Sequence, residues 1–328
     1  MKIYTHNGIE IDEIDLDNIK NNDILYLALD GENFSNDNYV NEYEYDSSIK
    51  KGGFAEVYKA KHTLTGRIVA IKKTNLTEFS TEQLYNISRE ALYLKSLKHK
   101  HIIKIYSSYI TEQALYIVMK YAKGGELTTI LKKEGIEESK VKKYYKQIIK
   151  AIRFVHSNNV IHRDLKPTNI LFLDEDKTKV VIIDFGISGL ANGNNKEEIK
   201  AGTVFYVPPE IALKIDFKSS PKLDIWAYGI ILYQMIFGKC PFVGKNLSST
   251  LDLIANQPLI YPDNFIISES LLNLLNGLLQ KKAFERIDIN SELFEKWFND
   301  KKVLHGDDRF LSLAYWRNLI LTSGSEII

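Results

Sequence analysis

Short alternating runs of apolar and polar residues mark the part of the chain from residue 45 to residue 121. The runs at 56–61, 67–73, 102–109 and 114–121 have the period of half-buried strands, with a turn at Thr65-Gly66 between the first two. With the segment that starts at Tyr45, the pattern predicts five strands. A capping box from Ser80 to Gln83 predicts that one helix starts at Ser80.

After residue 122 the apolar positions recur with helical spacing, apart from a β-rich interruption between Val160 and Ile183. In this interruption one apolar strand is expected to lead into His162, and a second, at 180–183, to lead into Asp184. The most apolar run, 225–238, is too short to span a bilayer and predicts a buried helix. A β-rich half followed by a helical half indicates two lobes.

The first 44 residues form a separate β-rich extension and linker. Strand-like runs flank the Asn7-Gly8 turn, a third run lies at 24–31, and the segment 33–46 is rich in Asn, Asp and Glu. The extension resembles the last strands of a ubiquitin-like or doublecortin-like module, which suggests a targeting partner. The tail, 300–328, is expected to pack onto the helical lobe, with an autoinhibitory or calmodulin-binding helix as the alternative.

Composition narrows the class of protein. The 328 residues are 45% hydrophobic, which fits a globular core, and a net charge of +1 predicts neither nucleic acid nor membrane as a partner. The single cysteine, Cys240, and an N-terminus without the features of a signal peptide predict a cytoplasmic protein.

A lysine and a glutamate are candidates for an internal ion pair. Strand alternation places Lys72 on one face with Ile68 and Ala70, and Glu90 falls within the apolar stripe of the helix that starts at Ser80. A carboxylate on such a stripe needs a partner, for which Lys72 is the candidate. The alternative is that Glu90 lies at the edge of the stripe in solvent.

Five motifs follow one another along the chain and decide the chemistry. They are VAIK at 69–72, HRDLKPTN at 162–169, DFG at 184–186, PPE at 208–210 and DIWAYG at 224–229. In this order and spacing they resemble the eukaryotic protein kinase family. GGEL at 124–127 and LFEKWF at 293–298 are most similar to its calcium/calmodulin-dependent group, of the Ser/Thr type.

The resemblance implies an α+β, bilobal protein kinase fold with a short β-rich N-terminal extension. Residues 45–299 would form the kinase domain, with a small β-rich N-lobe holding one main helix at about 45–121. A larger helical C-lobe would occupy about 122–299. Glu210 and Arg286 would form a buried ion pair, Asp224 would hold the catalytic loop, and His162 would pack internally.

The resemblance also assigns the site residues. Lys72 would neutralise the α and β phosphates of ATP, held by Glu90, while Asp164 orients the attacking hydroxyl and Lys166 steadies the γ phosphate. Asn169 and Asp184 would hold Mg²⁺. The residues implied to contact ATP are Gly52, Gly53, Phe54, Ala55, Val57, Ala70, Lys72, Met119, Lys120, Ala122, Glu126 and Leu171.

The phosphate loop departs from the family pattern, because Lys50, Gly52 and Ala55 hold its three glycine positions. A lysine in a glycine-only conformation would cost about 1–3 kcal/mol, so Lys50 is expected to avoid it.

The sequence therefore predicts a Ser/Thr protein kinase that uses ATP and Mg²⁺ and acts on protein Ser/Thr hydroxyls. Glu126 suggests Arg or Lys at the third residue before the phosphorylated site. The alternative is a pseudokinase scaffold that binds nucleotide without efficient phosphotransfer, suggested by Lys50, Ala55 and Pro208.

Overall fold

A computed structural model describes residues 2–5, 25–28, 43–52, 55–63, 65–77, 97–111, 113–184, 204–215, 220–263, 265 and 267–300. The chain forms two compact units that divide between Lys123 and Gly124. The described strands are β1 (Lys2–Thr5), β2 (Leu25–Ala28), β3 (Tyr43–Lys51), β4 (Ala55–His62), β5 (Ile68–Asn75), β6 (Ile105–Ile110), β7 (Ala114–Lys120), β8 (Gly125–Glu126), β9 (Ile170–Phe172) and β10 (Val180–Ile182). The described α-helices are α1 (Glu138–Ser157), α2 (Pro209–Ala212), α3 (Lys222–Phe237), α4 (Leu247–Asn256), α5 (Glu269–Leu278) and α6 (Glu292–Asn299).

The N-terminal extension contributes a two-stranded antiparallel pair. Strand β1 pairs with β2 in a register that joins Lys2 to Ala28 and Thr5 to Leu25. The first and third strand-like runs of the sequence thus pair with each other. The Asn7-Gly8 turn and the run that follows it lie outside the described residues.

The first unit contains a five-stranded antiparallel sheet in the order β3-β4-β5-β7-β6. Gly66 turns the chain between β4 and β5 with a φ of +67°, which the sequence anticipated from Thr65-Gly66. The four predicted runs are confirmed as strands, although β6 begins at Ile105 rather than at residue 102. The helix predicted from Ser80 lies outside the described residues.

One face of this sheet carries a small apolar core. Ala60, Val69, Ile71 and Val118 are buried there, and the rings of Tyr43, Tyr106 and Tyr116 pack against them. Burial of these side chains fixes which residues of each strand face the other way, because neighbours along a strand point to opposite faces.

The second unit is built around two long helices. Helix α3 is buried along almost its whole length, as the sequence predicted, and the rings of Tyr145 in α1 and Tyr228 in α3 stack at 3.8 Å. Each of these hydroxyls also donates to the other residue's carbonyl oxygen, at 3.1 and 3.2 Å. In the part of the chain that the structure describes, no helix is both long and apolar enough to cross a membrane.

The expected strand in front of His162 is wrong. Val160 instead donates its backbone N–H to the Val155 carbonyl at the end of α1, and Arg163 has a φ of +66°, which no extended strand contains. The segment between α1 and β9 is therefore a loop. The second predicted strand, β10, is present and ends two residues before Asp184.

Candidate active site

A lysine-bearing face of the five-stranded sheet gathers four of the predicted site residues. Lys72 in β5 pairs directly with Val57 in β4, and Ala70 pairs with Met119 in β7. Directly opposed residues of antiparallel strands share a face, so these four side chains lie together, opposite the Ala60 core. We call this the Lys72 face. Glu90, the predicted partner of Lys72, lies outside the described residues.

The hairpin between β3 and β4 occupies the position of the predicted phosphate loop. The Gly52 N–H donates to the Ala55 carbonyl at 2.8 Å, and a Cβ at Gly52 would lie 3.2 Å from that oxygen. Ala55 itself pairs with Thr74 of β5. Gly53 and Phe54, which complete the predicted loop, lie outside the described residues.

Lys50 lies within β3, one residue from its end. It is absent from the described residues with a positive φ, which confirms the expectation that it avoids the conformation reserved for glycine. The loop therefore tolerates this departure from the family pattern without backbone strain at Lys50.

The segment that follows β7 holds the residues predicted to contact the adenine edge. Lys120 donates its N–H to the Lys104 carbonyl at 2.9 Å, so it can offer a base only its carbonyl oxygen. Ala122 lies two residues further on and is half-buried. Met119, directly before them, is only 8% exposed.

In the second unit, the short strands β8 and β9 bring together two more predicted residues. Glu126 pairs with Leu171, and the Thr128 hydroxyl donates to the Glu126 carboxylate at 3.0 Å. The approach of β8 to β9 requires a glycine at Gly124, because a Cβ there would lie 2.5 Å from that of Phe172.

The loop between α1 and β9 concentrates the polar groups predicted for catalysis. The Lys166 ammonium lies 2.8 Å from both carboxylate oxygens of Asp164. The Asn169 side-chain nitrogen donates to the Asp164 carbonyl at 2.7 Å and to one carboxylate oxygen at 3.0 Å. The carboxylate of Asp164 is thus held from two sides.

A remote carboxylate fixes the backbone of this loop. Asp224, buried near the start of α3, accepts the N–H of His162 at 2.8 Å and that of Arg163 at 2.9 Å. The His156 ring nitrogen lies 2.8 Å from the same carboxylate. A buried charge with three hydrogen-bonding partners is a strong anchor, because its alternative is a desolvated, unpaired carboxylate.

Asp184 follows β10 beside the same loop. The Ile183 N–H donates to the Asn169 carbonyl, and the Ile183 carbonyl lies 2.9 Å from the ring nitrogen of buried His162. The backbone then turns sharply, with a φ of +58° at Asp184. Phe185 and Gly186, the rest of the DFG motif, lie outside the described residues.

A buried ion pair supports the second unit away from this loop. Arg286 donates two hydrogen bonds to Glu210, at 2.7 and 2.5 Å, with both residues less than 10% exposed. It also donates to the carbonyls of Gln280, Lys281 and Lys222. The predicted structural pair is present.

Two residues that lie near the predicted site residues were not among them. The ring nitrogen of His156 contacts the carboxylate of Asp224, which anchors the loop. Ile49, an apolar side chain 49% exposed, lies in β3 beside Lys50, next to the Lys72 face.

Comparisons with known proteins agree with this arrangement. The protein kinase domain family matches residues 43–298. Calcium-dependent protein kinase 5 of Plasmodium berghei (strain Anka) is 35% identical over 269 residues, which cover 80% of this chain and 47% of that protein. The chain therefore spans about half the length of this curated relative.

A solved structure also has a fold similar to that of this chain. The crystal structure of Rad53 1-466 in complex with AMP-PNP matches with a TM-score of 0.66 and 26% identity, over 79% of this chain and 66% of that chain. The predicted α+β kinase fold and the predicted similarity to the calcium/calmodulin-dependent group of Ser/Thr kinases are confirmed. This chain belongs to the protein kinase family.

Proposed function

We propose that this chain is a Ser/Thr protein kinase, which transfers the γ-phosphate of ATP to Ser and Thr hydroxyls of proteins. The observation that carries the proposal is the arrangement at Asp164, whose carboxylate is held by Lys166 and Asn169 on a loop anchored by Asp224. A fixed carboxylate can accept the proton of a substrate hydroxyl and orient its oxygen for in-line attack.

The Lys72 face is proposed to bind ATP. Val57, Ala70 and Met119 offer apolar surface for adenine beside the ammonium of Lys72, which would neutralise the α and β phosphates. The family resemblance assigns a further adenine contact to Leu171 and recognition of the edge of the base to the backbone of Lys120 and Ala122. Glu90 is retained in this proposal as the partner of Lys72.

Asn169 and Asp184 fit the Mg²⁺ ions that kinases use. Both described hydrogen bonds of the Asn169 side chain use its nitrogen, so the amide oxygen is oriented away from Asp164. That oxygen and a carboxylate are the hard ligands that this ion prefers. When bound, Mg²⁺ would offset charge on the phosphates, while Lys166 holds the Asp164 carboxylate in place.

Active catalysis is preferred to the pseudokinase alternative. Lys72, Asp164, Asn169 and Asp184 are all present, and Lys50 causes no strain at its unusual position. Loss of a charged group from this set is what removes transition-state stabilisation.

The substrate proposal is a protein with Arg or Lys at the third residue before the Ser or Thr. Glu126, half-buried at the edge of β8, supplies the carboxylate for this contact. A second basic preference is not proposed. Gln234 stands at the position where kinases that demand a second basic residue carry an acid. It has no charge and already accepts the Tyr206 hydroxyl at 2.7 Å. We further propose a cytoplasmic protein with a targeting partner for residues 1–44.

A mixed Ser/Thr peptide library with Mg-ATP tests the proposal. Wild-type protein should phosphorylate peptides with a basic residue three positions before the site, and Asp184→Asn should not. Binding of ATP without transfer to any peptide would favour the scaffold instead. A profile with no basic preference would reject the role of Glu126 alone.

A further inference from the structure

An irregularity in β3 changes the side of the sheet to which Lys50 points. Ser48 pairs with Tyr58 of β4, but Lys50 pairs with Val57, the next residue back along β4, so Ile49 is an extra residue between the two pairs. Such a bulge rotates the residues that follow it onto the other face of the sheet.

The residues of β4 and β5 next to the bulge show on which face of the sheet Lys50 lies. Tyr58 pairs with Ile71, whose side chain is fully buried in the core with Ala60, on the face opposite the Lys72 face. Val57 pairs with Lys72. Without the bulge, Lys50 would follow Ser48 onto the face of Ile71; with it, Lys50 lies on the Lys72 face.

The adjacent lysine has the opposite orientation. Lys51 pairs with Glu56, which lies on the same face of the sheet as the Ala60 core. Hydrogen bonds from Tyr58 and Ser48 lower the pKa of the Glu56 carboxyl, and the charge of Lys51 adds to this effect. Lys50 and Lys51 are thus two neighbouring cations of similar exposure that serve different faces of one sheet.

Another lysine on the Lys72 face has its charge offset. Lys59 pairs with Ala70, and its ammonium lies 2.6 Å from the carboxylate of Asp46. The bulge adds Lys50 to this face beside Val57 and Lys72, one residue pair from the end of β3.

We propose that Lys50 is a second phosphate-binding cation of the nucleotide site, which adds to the role of Lys72. This inference rests on the proposed function, because it assigns a polyphosphate ligand to the Lys72 face. Related loops have glycine at this position, so the contact belongs to this chain and not to the loop design in general. An ammonium on a flexible stem binds phosphate as a point charge, so its effect should follow ligand charge and weaken with salt.

Calorimetric titration of the full chain with ATP and with adenosine tests this role. The variants are Lys50→Met, Lys50→Arg, which keeps the charge, and Lys51→Met as the matched control on the other face. Lys50→Met should raise the Kd for ATP about three- to tenfold at low salt and change the Kd for adenosine less than about twofold. Lys50→Arg and Lys51→Met should bind both ligands like wild type, and 1 M salt should shrink the ATP effect, since the Debye length is then only about 3 Å.

Three outcomes would overturn the inference while ATP binding by wild type still supports the proposed function. These are an unchanged Kd for ATP in Lys50→Met, an equal loss for ATP and adenosine, and an equal loss in Lys51→Met. Wild-type protein that binds neither ligand would overturn the proposed function and, with it, the role of Lys50.

Discussion

Lys166 places its ammonium 2.8 Å from each of the two carboxylate oxygens of Asp164. The two residues are part of one loop whose backbone is anchored by Asp224, so their relative position does not depend on flexible packing. A lysine in this place both orients the carboxylate and brings a positive charge to the point where the proposed reaction develops negative charge.

Replacement of Lys166 by Met should therefore lower kcat by about 100-fold, because a preorganised charge in the reaction centre is lost. The free energy of unfolding should stay close to that of wild type, since Lys166 is partly exposed. Steady-state peptide phosphorylation and urea unfolding measure the two quantities. Lys140→Met, an exposed lysine of α1, is the control, and a Lys166→Met enzyme as fast as this control would contradict the prediction.

The buried pair of Arg286 and Glu210 should matter for stability. Arg286→Met leaves the Glu210 carboxylate buried without its partner, which should lower the free energy of unfolding by about 3–5 kcal/mol. Urea denaturation measures the loss. The matched control is Glu285→Gln, which breaks the exposed pair with Lys282 and should cost less than about 1 kcal/mol. Equal losses in the two variants would reject the structural role.

The lowered pKa of Lys281 predicts that the stability of the protein depends on pH above neutrality. Burial, with a smaller effect from the nearby charge of Arg286, lowers the pKa of Lys281 to about 8 from 10.5. Its ammonium still donates to the Ile254 carbonyl at 2.6 Å and lies 3.7 Å from the centre of the Phe242 ring. Above pH 8 the unfolded chain keeps this proton more readily than the folded chain, so the contribution of Lys281 to stability rises with pH.

Chemical unfolding at pH 7.5 and pH 9.0 measures this contribution. Relative to Lys281→Met, wild type should gain up to about 1 kcal/mol of stability over this interval, a figure reduced for the partial exposure of the side chain. Lys282→Met, which changes the exposed neighbour, should behave like wild type. A wild-type curve parallel to that of Lys281→Met would show that the pKa of Lys281 is not lowered.

The Lys72 face could be predicted from sequence because periodicity reports which side chains share a face. Alternation placed Ala70 and Lys72 together, and the Thr65-Gly66 turn predicted that β4 and β5 are neighbours. The pairing of Lys72 with Val57 was added by the structure. The bulge at Ile49 could not be predicted, because Ser48 and Lys50 on either side of it are both polar and so do not show the change of face.

The role of the loop before β9 could be predicted only from its motif, HRDLKPTN at 162–169. Apolar Val160 and Ile161 suggested a strand, but the conformation depends on Asp224, which is 62 positions from His162 along the chain. The spacing of apolar residues gives no information on backbone N–H groups that donate to a side chain far away in the sequence. For the same reason the contact of His156 with Asp224 was missed.

The most direct test of the account is phosphate transfer from radiolabelled ATP by wild type and Asp164→Asn, with Asp176→Asn, an exposed acid in the turn before β10, as control. The amide keeps the size of the side chain but cannot accept the hydroxyl proton as a carboxylate does. Wild type and Asp176→Asn should label serine and threonine at equal rates, while Asp164→Asn should be slower by at least about 100-fold with unchanged thermal stability. Transfer by Asp164→Asn at the wild-type rate, or no transfer to Ser or Thr by wild-type protein, would contradict the assignment of Asp164 as the catalytic carboxylate of a Ser/Thr kinase.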